Sequence, residues 1–333
     1  MKKFLNDPFD FVDELTEGIL LAHPESYRAE KGDLRVIVRA DAPVKGKVAI
    51  ATGGGSGHLP VFMGYVGKGL ADGASIGNVF SSPSKGQMKR VTKAIDGGAG
   101  VLYLYGRYQG DMMNFNAAAE ECEKDGIRIK TVTVSDDIAS APPSRHHDRR
   151  GVAGIFFAYK IAGAMAAEMA SLEEVQRVAQ KAVDNMRSLG VALGPCTVPA
   201  VGKPNFEISD NEMETGMGIH GEQGVERVAM RSADEIAAIM VEKILSDLPF
   251  NAGDEVAVLM NSLGATPLDE LYVIYRKVDA LLKDAGIHVY RPYVGRYACS
   301  MEMQGASLTL MKLDDELKRL LDAPADSPFF RQF

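Results

Sequence analysis

Two histidines lie in glycine-rich stretches that are far apart in the chain. His58 ends the run Gly53–His58, and His220 lies between Gly218 and Gly221. A neutral imidazole can act as a base, a nucleophile or a metal ligand. Glycines after a strand let the backbone approach a ligand closely. The two stretches predict one site built from two distant loops. The alternatives are a tight structural turn at the first stretch and a solvated loop histidine at the second.

Neither histidine fits a familiar phosphate or metal pattern. A P-loop has Lys and then Ser or Thr after its last glycine, whereas His58 and Leu59 follow Gly57. No second His or Cys lies at ligand spacing beside His220. The pair His146-His147 is flanked by arginines, which favours a solvated basic loop that could face a phosphate or a partner. We therefore predict no metal site in this chain.

Asp111 is the third candidate, because it follows a loop at the end of an apolar, strand-like run. Asp is a preferred helix N-cap, and a carboxylate beyond the carboxyl end of a strand can also serve as a base. Both roles remain open, and they compete for the same oxygens.

Composition excludes several classes of function. The chain has 333 residues and a net charge of −8, which argues against a nucleic-acid partner because such partners need a basic face. No apolar run reaches the roughly 20 residues of a membrane helix. Three cysteines lie singly and far apart, so we expect no disulfide framework and a reducing cytoplasm.

Strand-like and helix-like runs alternate along the sequence, which indicates α/β architecture with largely parallel strands. Length favours two domains, residues 1–188 and 189–333. Predicted strands are 48–51, 100–105, 129–134, 192–197 (strand or loop), 255–260, 287–290 and 307–313; predicted helices are 61–69, 111–124, 151–169, 171–189, 232–245 and 267–285.

The chain resembles the substrate-binding (K-type) subunit of dihydroxyacetone kinases from about residue 6 to about residue 325. The block from Asp210-Asn211-Glu212-Met213-Glu214 to Gly218-Ile219-His220-Gly221-Glu222 is highly specific. The other matching stretches are Arg39–Pro43, Gly53–His58 with Pro60, Gly110-Asp111 with Asn114-Phe115, Arg150–Ala153, Cys196–Pro199, Gly202–Pro204 and Leu263–Leu268.

The resemblance implies two α/β domains with a ketose site between them. It implies no cofactor in this chain, because Mg-ATP or Mg-ADP would be held by a separate helical (L-type) nucleotide-binding subunit. A sugar phosphotransferase system could re-phosphorylate that subunit. The resemblance also implies a homodimer.

Site residues follow from the same resemblance. His220 matches the histidine that binds the ketone as a hemiaminal, and Asp111 matches the proposed general base. His58 matches a histidine that hydrogen-bonds the substrate. The remaining substrate-binding expectations are Gly53, Gly54, Ser56, Gly57 and Gly110.

Two departures from the family pattern bear on the substrate. Leu59 replaces a common Glu, and Gly106 replaces a common Lys. A larger, four-carbon ketose such as erythrulose is therefore an alternative substrate. A non-catalytic ketose sensor is a second alternative, although such a regulator would be expected to lose Asp111 or His220. Glycine loops that merely pack two domains are a third.

Overall fold

The computed structural model describes residues 2–30 and 32–333, which form two six-stranded sheets and a small hairpin. The first sheet contains β1 (Tyr27–Glu30), β2 (Asp33–Arg39), β3 (Ala49–Ser56), β4 (Gly73–Val79), β5 (Val101–Gly106) and β6 (Ile129–Val134). The second contains β7 (Met186–Gly194), β8 (Glu212–Thr215), β9 (Glu226–Ala229), β10 (Glu255–Ser262), β11 (His288–Gly295) and β12 (Gln304–Leu313), and the hairpin pairs β13 (Ala325–Ser327) with β14 (Phe330–Gln332).

The helices cover both faces of each sheet. They are α1 (Phe11–Ala22), α2 (Lys85–Ile95), α3 (Gln109–Lys124), α4 (Ile155–Ala167), α5 (Leu172–Asp184), α6 (Ala233–Asp247), α7 (Leu268–Asp284) and α8 (Asp315–Asp322). Helices α2 and α3 pack on one face of the first sheet, and α6 and α7 pack on one face of the second. The largest apolar core lies between the two sheets, around α4, α5 and α8. We call the first sheet with α1–α5 the first lobe, and the second sheet with α6 and α7 the second lobe.

Strand direction differs between the lobes. The first sheet has the order β1-β2-β4-β3-β5-β6, and the four strands from β4 to β6 are parallel, as predicted. The second has the order β11-β10-β12-β7-β8-β9, and only β10 and β11 are parallel. The prediction of largely parallel strands is therefore wrong for the second lobe. Position 188, the predicted domain boundary, lies inside β7, the first strand of the second sheet along the chain.

The structure corrects two further predictions, which concern the segments on either side of His58. The predicted loop at Gly53–His58 is mostly strand, because β3 continues to Ser56. A Cβ at Gly54 would lie 2.2 Å from the Phe62 ring, so the strand needs glycine there to let Phe62 pack. The predicted helix 61–69 is only a short 3-10 turn at Met63–Tyr65.

The end of the chain returns to the first lobe. Leu317, Leu320 and Leu321 of α8 belong to the core between the sheets. The Asp326 and Lys68 backbones exchange two hydrogen bonds of 2.9 Å. Among the described residues, no helix has both the length and the apolar character required to cross a bilayer.

Candidate functional site

His58, Asp111 and His220 lie around one small cavity between the lobes. His58 follows β3, Asp111 lies in the first turn of α3, and His220 follows β8. The first two come from the carboxyl end of the parallel part of the first sheet, where α/β folds commonly bind ligands. The cavity is also lined by Gly55, Val61, Phe62, Gly106, Tyr108, Gly151, Val152, Ile155, Ile219 and Ala298.

His58 is buried and neutral, and it presents one free nitrogen. Its burial, helped by the nearby His220, lowers its pKa to about 3. The His58 Nδ1 atom lies 2.8 Å from the Cys299 carbonyl oxygen, which can only accept, so Nδ1 carries the proton. The Nε2 atom is buried without a hydrogen-bond partner. It is therefore an acceptor for a ligand hydroxyl.

His220 shows the same tautomer for a different reason. Its Nδ1 atom lies 2.8 Å from Glu222 Oε1, and its backbone NH donates to Glu222 Oε2 at 3.0 Å. Burial alone would raise the pKa of Glu222, but the bond from His220 and the nearby charges lower it to about 2. An ionised Glu222 accepts a hydrogen bond from the Nδ1–H group, so in the neutral imidazole the lone pair lies on Nε2.

Asp111 is a buried carboxylate with a raised pKa. Burial raises the pKa to about 6, against smaller lowering effects of Ser82 and His220. Its Oδ1 atom has no hydrogen-bond partner. The helix N-cap is Tyr108, which makes no side-chain capping bond, so Asp111 does not cap α3. The N-cap interpretation is wrong, and the carboxylate is free to act as a base near neutral pH.

Aromatic rings surround the two imidazoles. The ring centroids of His58 and His220 are 4.8 Å apart, and Phe80 stacks on His58 at 5.0 Å. Tyr108 contacts His220 edge-on at 4.7 Å. These rings restrict the imidazole planes, and His58 is shielded from water whereas His220 stays partly exposed.

Sequence comparison gives the family. The Dak1 domain pattern matches residues 17–329. This chain belongs to the Dak1 family. It is 45% identical over 331 residues to the PTS-dependent dihydroxyacetone kinase 2, dihydroxyacetone-binding subunit DhaK, of Listeria innocua, with 99% of each chain covered.

Two further Dak1 relatives are longer than this chain. It is 42% identical to the L-erythrulose 1-kinase of Mycolicibacterium smegmatis, with 100% of this chain and 58% of that protein covered. Its fold matches the crystal structure of the dihydroxyacetone kinase from C. freundii in complex with AMP-PNP and Mg2+. The TM-score is 0.89 at 31% identity, over 99% of this chain and 61% of that chain.

The glycines predicted at this Dak1 site have other surroundings. Gly53 and Gly54 lie within β3, where Ser75 and Phe62 fill the space of a side chain, and Gly57 packs under Phe80. Gly110 is exposed in the first turn of α3. None of these four lines the cavity, whereas Gly55 does. Ser56 has a buried hydroxyl without a hydrogen-bond partner.

Several residues of the Dak1 site were not predicted. They are Glu222, Tyr108, Phe80 and the carbonyl of Cys299. For Glu222 the sequence did hold a signal. Glu222 lies two residues after His220, so the two side chains can flank one tight turn and contact each other. Within residues 2–30 and 32–333, no three His, Cys, Asp or Glu residues group as metal ligands.

Proposed function

We propose that this chain is the ketose-binding subunit of a dihydroxyacetone-type kinase, and that His220 holds the ketone covalently. Four buried polar atoms without partners support this: Ser56 Oγ, His58 Nε2, Tyr108 Oη and Asp111 Oδ1. Three of their residues line one cavity, and the fourth lies two residues from His58. A buried polar group without a partner is costly, and the hydroxyls of a small polyol would satisfy such groups.

Capture of the ketone uses the free Nε2 of His220. Its lone pair attacks the carbonyl carbon, the Nε2–C bond forms, and the π pair of the C=O bond moves to oxygen. The new alkoxide takes one proton from solvent, and the ring releases its Nδ1 proton to solvent past Glu222, so the hemiaminal is neutral and the protons balance. The adduct fixes the sugar in one orientation. A polyol without a carbonyl cannot form it, which gives selectivity against glycerol.

Transfer of phosphate then requires a base at a substrate hydroxyl. Near neutral pH Asp111 is ionised and can act as this base, while the neutral His58 offers Nε2 as a hydrogen-bond acceptor. The donor is a nucleotide on a separate subunit, where Mg²⁺ and positioning supply most of the catalysis. The proposal includes a homodimer and a cytoplasmic protein, which fits three buried free cysteines.

A four-carbon ketose is the second candidate substrate. Gly106 and Gly151 both line the cavity, so no side chain from either position takes up space or offers a charge there. The named activity of the longer relative, L-erythrulose 1-kinase, is consistent with the space that Gly106 and Gly151 leave in the cavity. Turnover of dihydroxyacetone and both erythrulose enantiomers, measured side by side with a nucleotide-bearing partner, tests it. A strong three-carbon preference would reject erythrulose.

The first experiment measures intact mass under native conditions after incubation with each ketose, with a crystal soak as a second route. We expect one adduct in the wild type and in His147→Ala, a control at an exposed histidine, and none in His220→Ala. Glycerol should give none. An adduct without phosphorylation by any nucleotide-loaded partner would identify a ketose sensor, and the absence of an adduct by both routes would refute covalent capture.

A further inference from the structure

Arg150 lies beside Glu222, the carboxylate that contacts His220, and links the two lobes. It comes from the segment between β6 and α4, and its side chain is 17% exposed. The Nε atom donates to Asp137 Oδ2 at 2.9 Å, and Nη2 donates to the Gly216 carbonyl at 3.2 Å. The guanidinium therefore ties the first lobe to the start of the loop that carries His220.

The same guanidinium reaches the carboxylate that holds His220. Arg150 Nη1 lies 3.7 Å from Glu222 Oε2, while Glu222 Oε1 accepts from His220 Nδ1. Asp137, Arg150, Glu222 and His220 thus form a continuous row of alternating charge and hydrogen bonds. We call this row the Arg150 relay.

Gly218 provides an independent sign that this arrangement is built into the loop. A Cβ at position 218 would lie 2.0 Å from Glu222 Oε2 and 2.5 Å from Arg150 Nη1. Any side chain there would displace both groups. Gly218, two residues before His220, therefore leaves room for the Arg150 relay, and its φ is not positive.

We propose that Arg150 is a positioning residue that acts on His220 through Glu222. Arg150 holds the Glu222 carboxylate where this carboxylate can accept a hydrogen bond from the Nδ1–H group of His220. It also balances part of the carboxylate charge, which weakens the attraction of Glu222 for a second proton on the imidazole. This inference rests on the proposed covalent capture by His220.

Glu222 and Arg150, two of the four members of the Arg150 relay, should have opposite electrostatic effects on the His220 imidazole. Without Glu222, the protonated imidazole loses its stabilising anion. Without Arg150, the same anion is uncompensated and favours the protonated imidazole more strongly. The other groups facing His220 are His58 after β3, Asp111 on α3 and the neutral phenol of Tyr108, and they are unchanged in both variants.

The test follows the pH midpoint of His220 protonation by NMR of its ring, and in parallel the acid limb of ketose adduct formation. In Glu222→Gln both should move to lower pH by about one unit, and in Arg150→Met both should move to higher pH by about one unit. Arg150→Lys, which keeps the charge, should lie between Arg150→Met and the wild type.

Arg149→Lys is the matched control. Arg149 is the adjacent arginine and pairs bidentately with Asp247, at 2.7 and 2.6 Å, away from His220. It should lose stability without a shift in either midpoint. Equal midpoints in Arg150→Met and the wild type, or shifts of the same sign in Arg150→Met and Glu222→Gln, would overturn the inference. An absent adduct in the wild type would instead refute the proposed capture, and the ring titration would still test the relay.

Discussion

Asp111 and His58 lie in one cavity, and burial moves their pKa values in opposite directions, to about 6 and about 3. Burial penalises whichever form is charged, so it raises the pKa of an acid and lowers that of a base. At pH 7 Asp111 is therefore ionised and His58 neutral, and Asp111, whose pKa lies closer to 7, is the better proton acceptor. This matches the need for a base at a substrate hydroxyl.

Asp111→Asn should separate activity from stability. The raised pKa means that the folded state binds more protons than the unfolded state between about pH 4 and 6. The ionised group therefore destabilises the fold above that window and is neutral below it. We expect Asp111→Asn to stabilise the protein by about 2 kcal/mol at pH 7.5 and to lower kcat by roughly 10²–10⁴-fold.

Urea unfolding at pH 7.5 and pH 4, with turnover assays at pH 7.5, measures both effects. The stability gain should disappear at pH 4. Equal gains at the two pH values would show that the raised pKa does not cause the effect.

At the scale of elements, the glycines of β3 hold the site by letting neighbours approach. Gly54→Ala would push its methyl group into the Phe62 ring, which lines the cavity, and should destabilise the fold by roughly 1–3 kcal/mol. Gly18→Ala is the control. Gly18 lies in α1 with open space around its Cβ position, so it should stabilise by roughly 0.5–1 kcal/mol. Thermal unfolding of both variants checks the opposite signs.

Elements with strong local signals could be predicted from the sequence. The strand at Ile129–Val134 and the helix beginning after Ser232 agree with the structure, because the residue types of each short run indicate the element locally. The glycine strand and the antiparallel second sheet could not, since the packing of Phe62 on Gly54 and the strand order are tertiary contacts that local patterns do not show. The three cavity residues were candidates from their types and positions, and the resemblance gave them roles. The Glu222 contact depends on a turn geometry that residue types alone do not reveal.

At the scale of the whole molecule, buried ion pairs join the lobes. Asp247, at the end of α6, accepts hydrogen bonds from Arg149 of the first lobe and from Arg187 of β7. Asp247→Ala leaves two largely buried guanidiniums without a counter-charge and should cost roughly 3–5 kcal/mol. The exposed pair of Asp279 and Lys283 is the control, and Asp279→Ala should cost about 0.5 kcal/mol or less. Guanidinium chloride unfolding compares them, and equal losses would contradict the argument.

The return of the C-terminal segment to the first lobe has a consequence for biosynthesis. Lys160, buried in α4, donates to carbonyls at the end of α8, and Ser327 donates to the Gly64 carbonyl at 2.7 Å. Domains usually fold in turn as the chain leaves the ribosome. Here the first half emerges early but lacks the helix that completes its core. The nascent chain must therefore expose the apolar face of α4 until translation nears its end. We therefore expect chaperones to bind the partly synthesised chain during this delay.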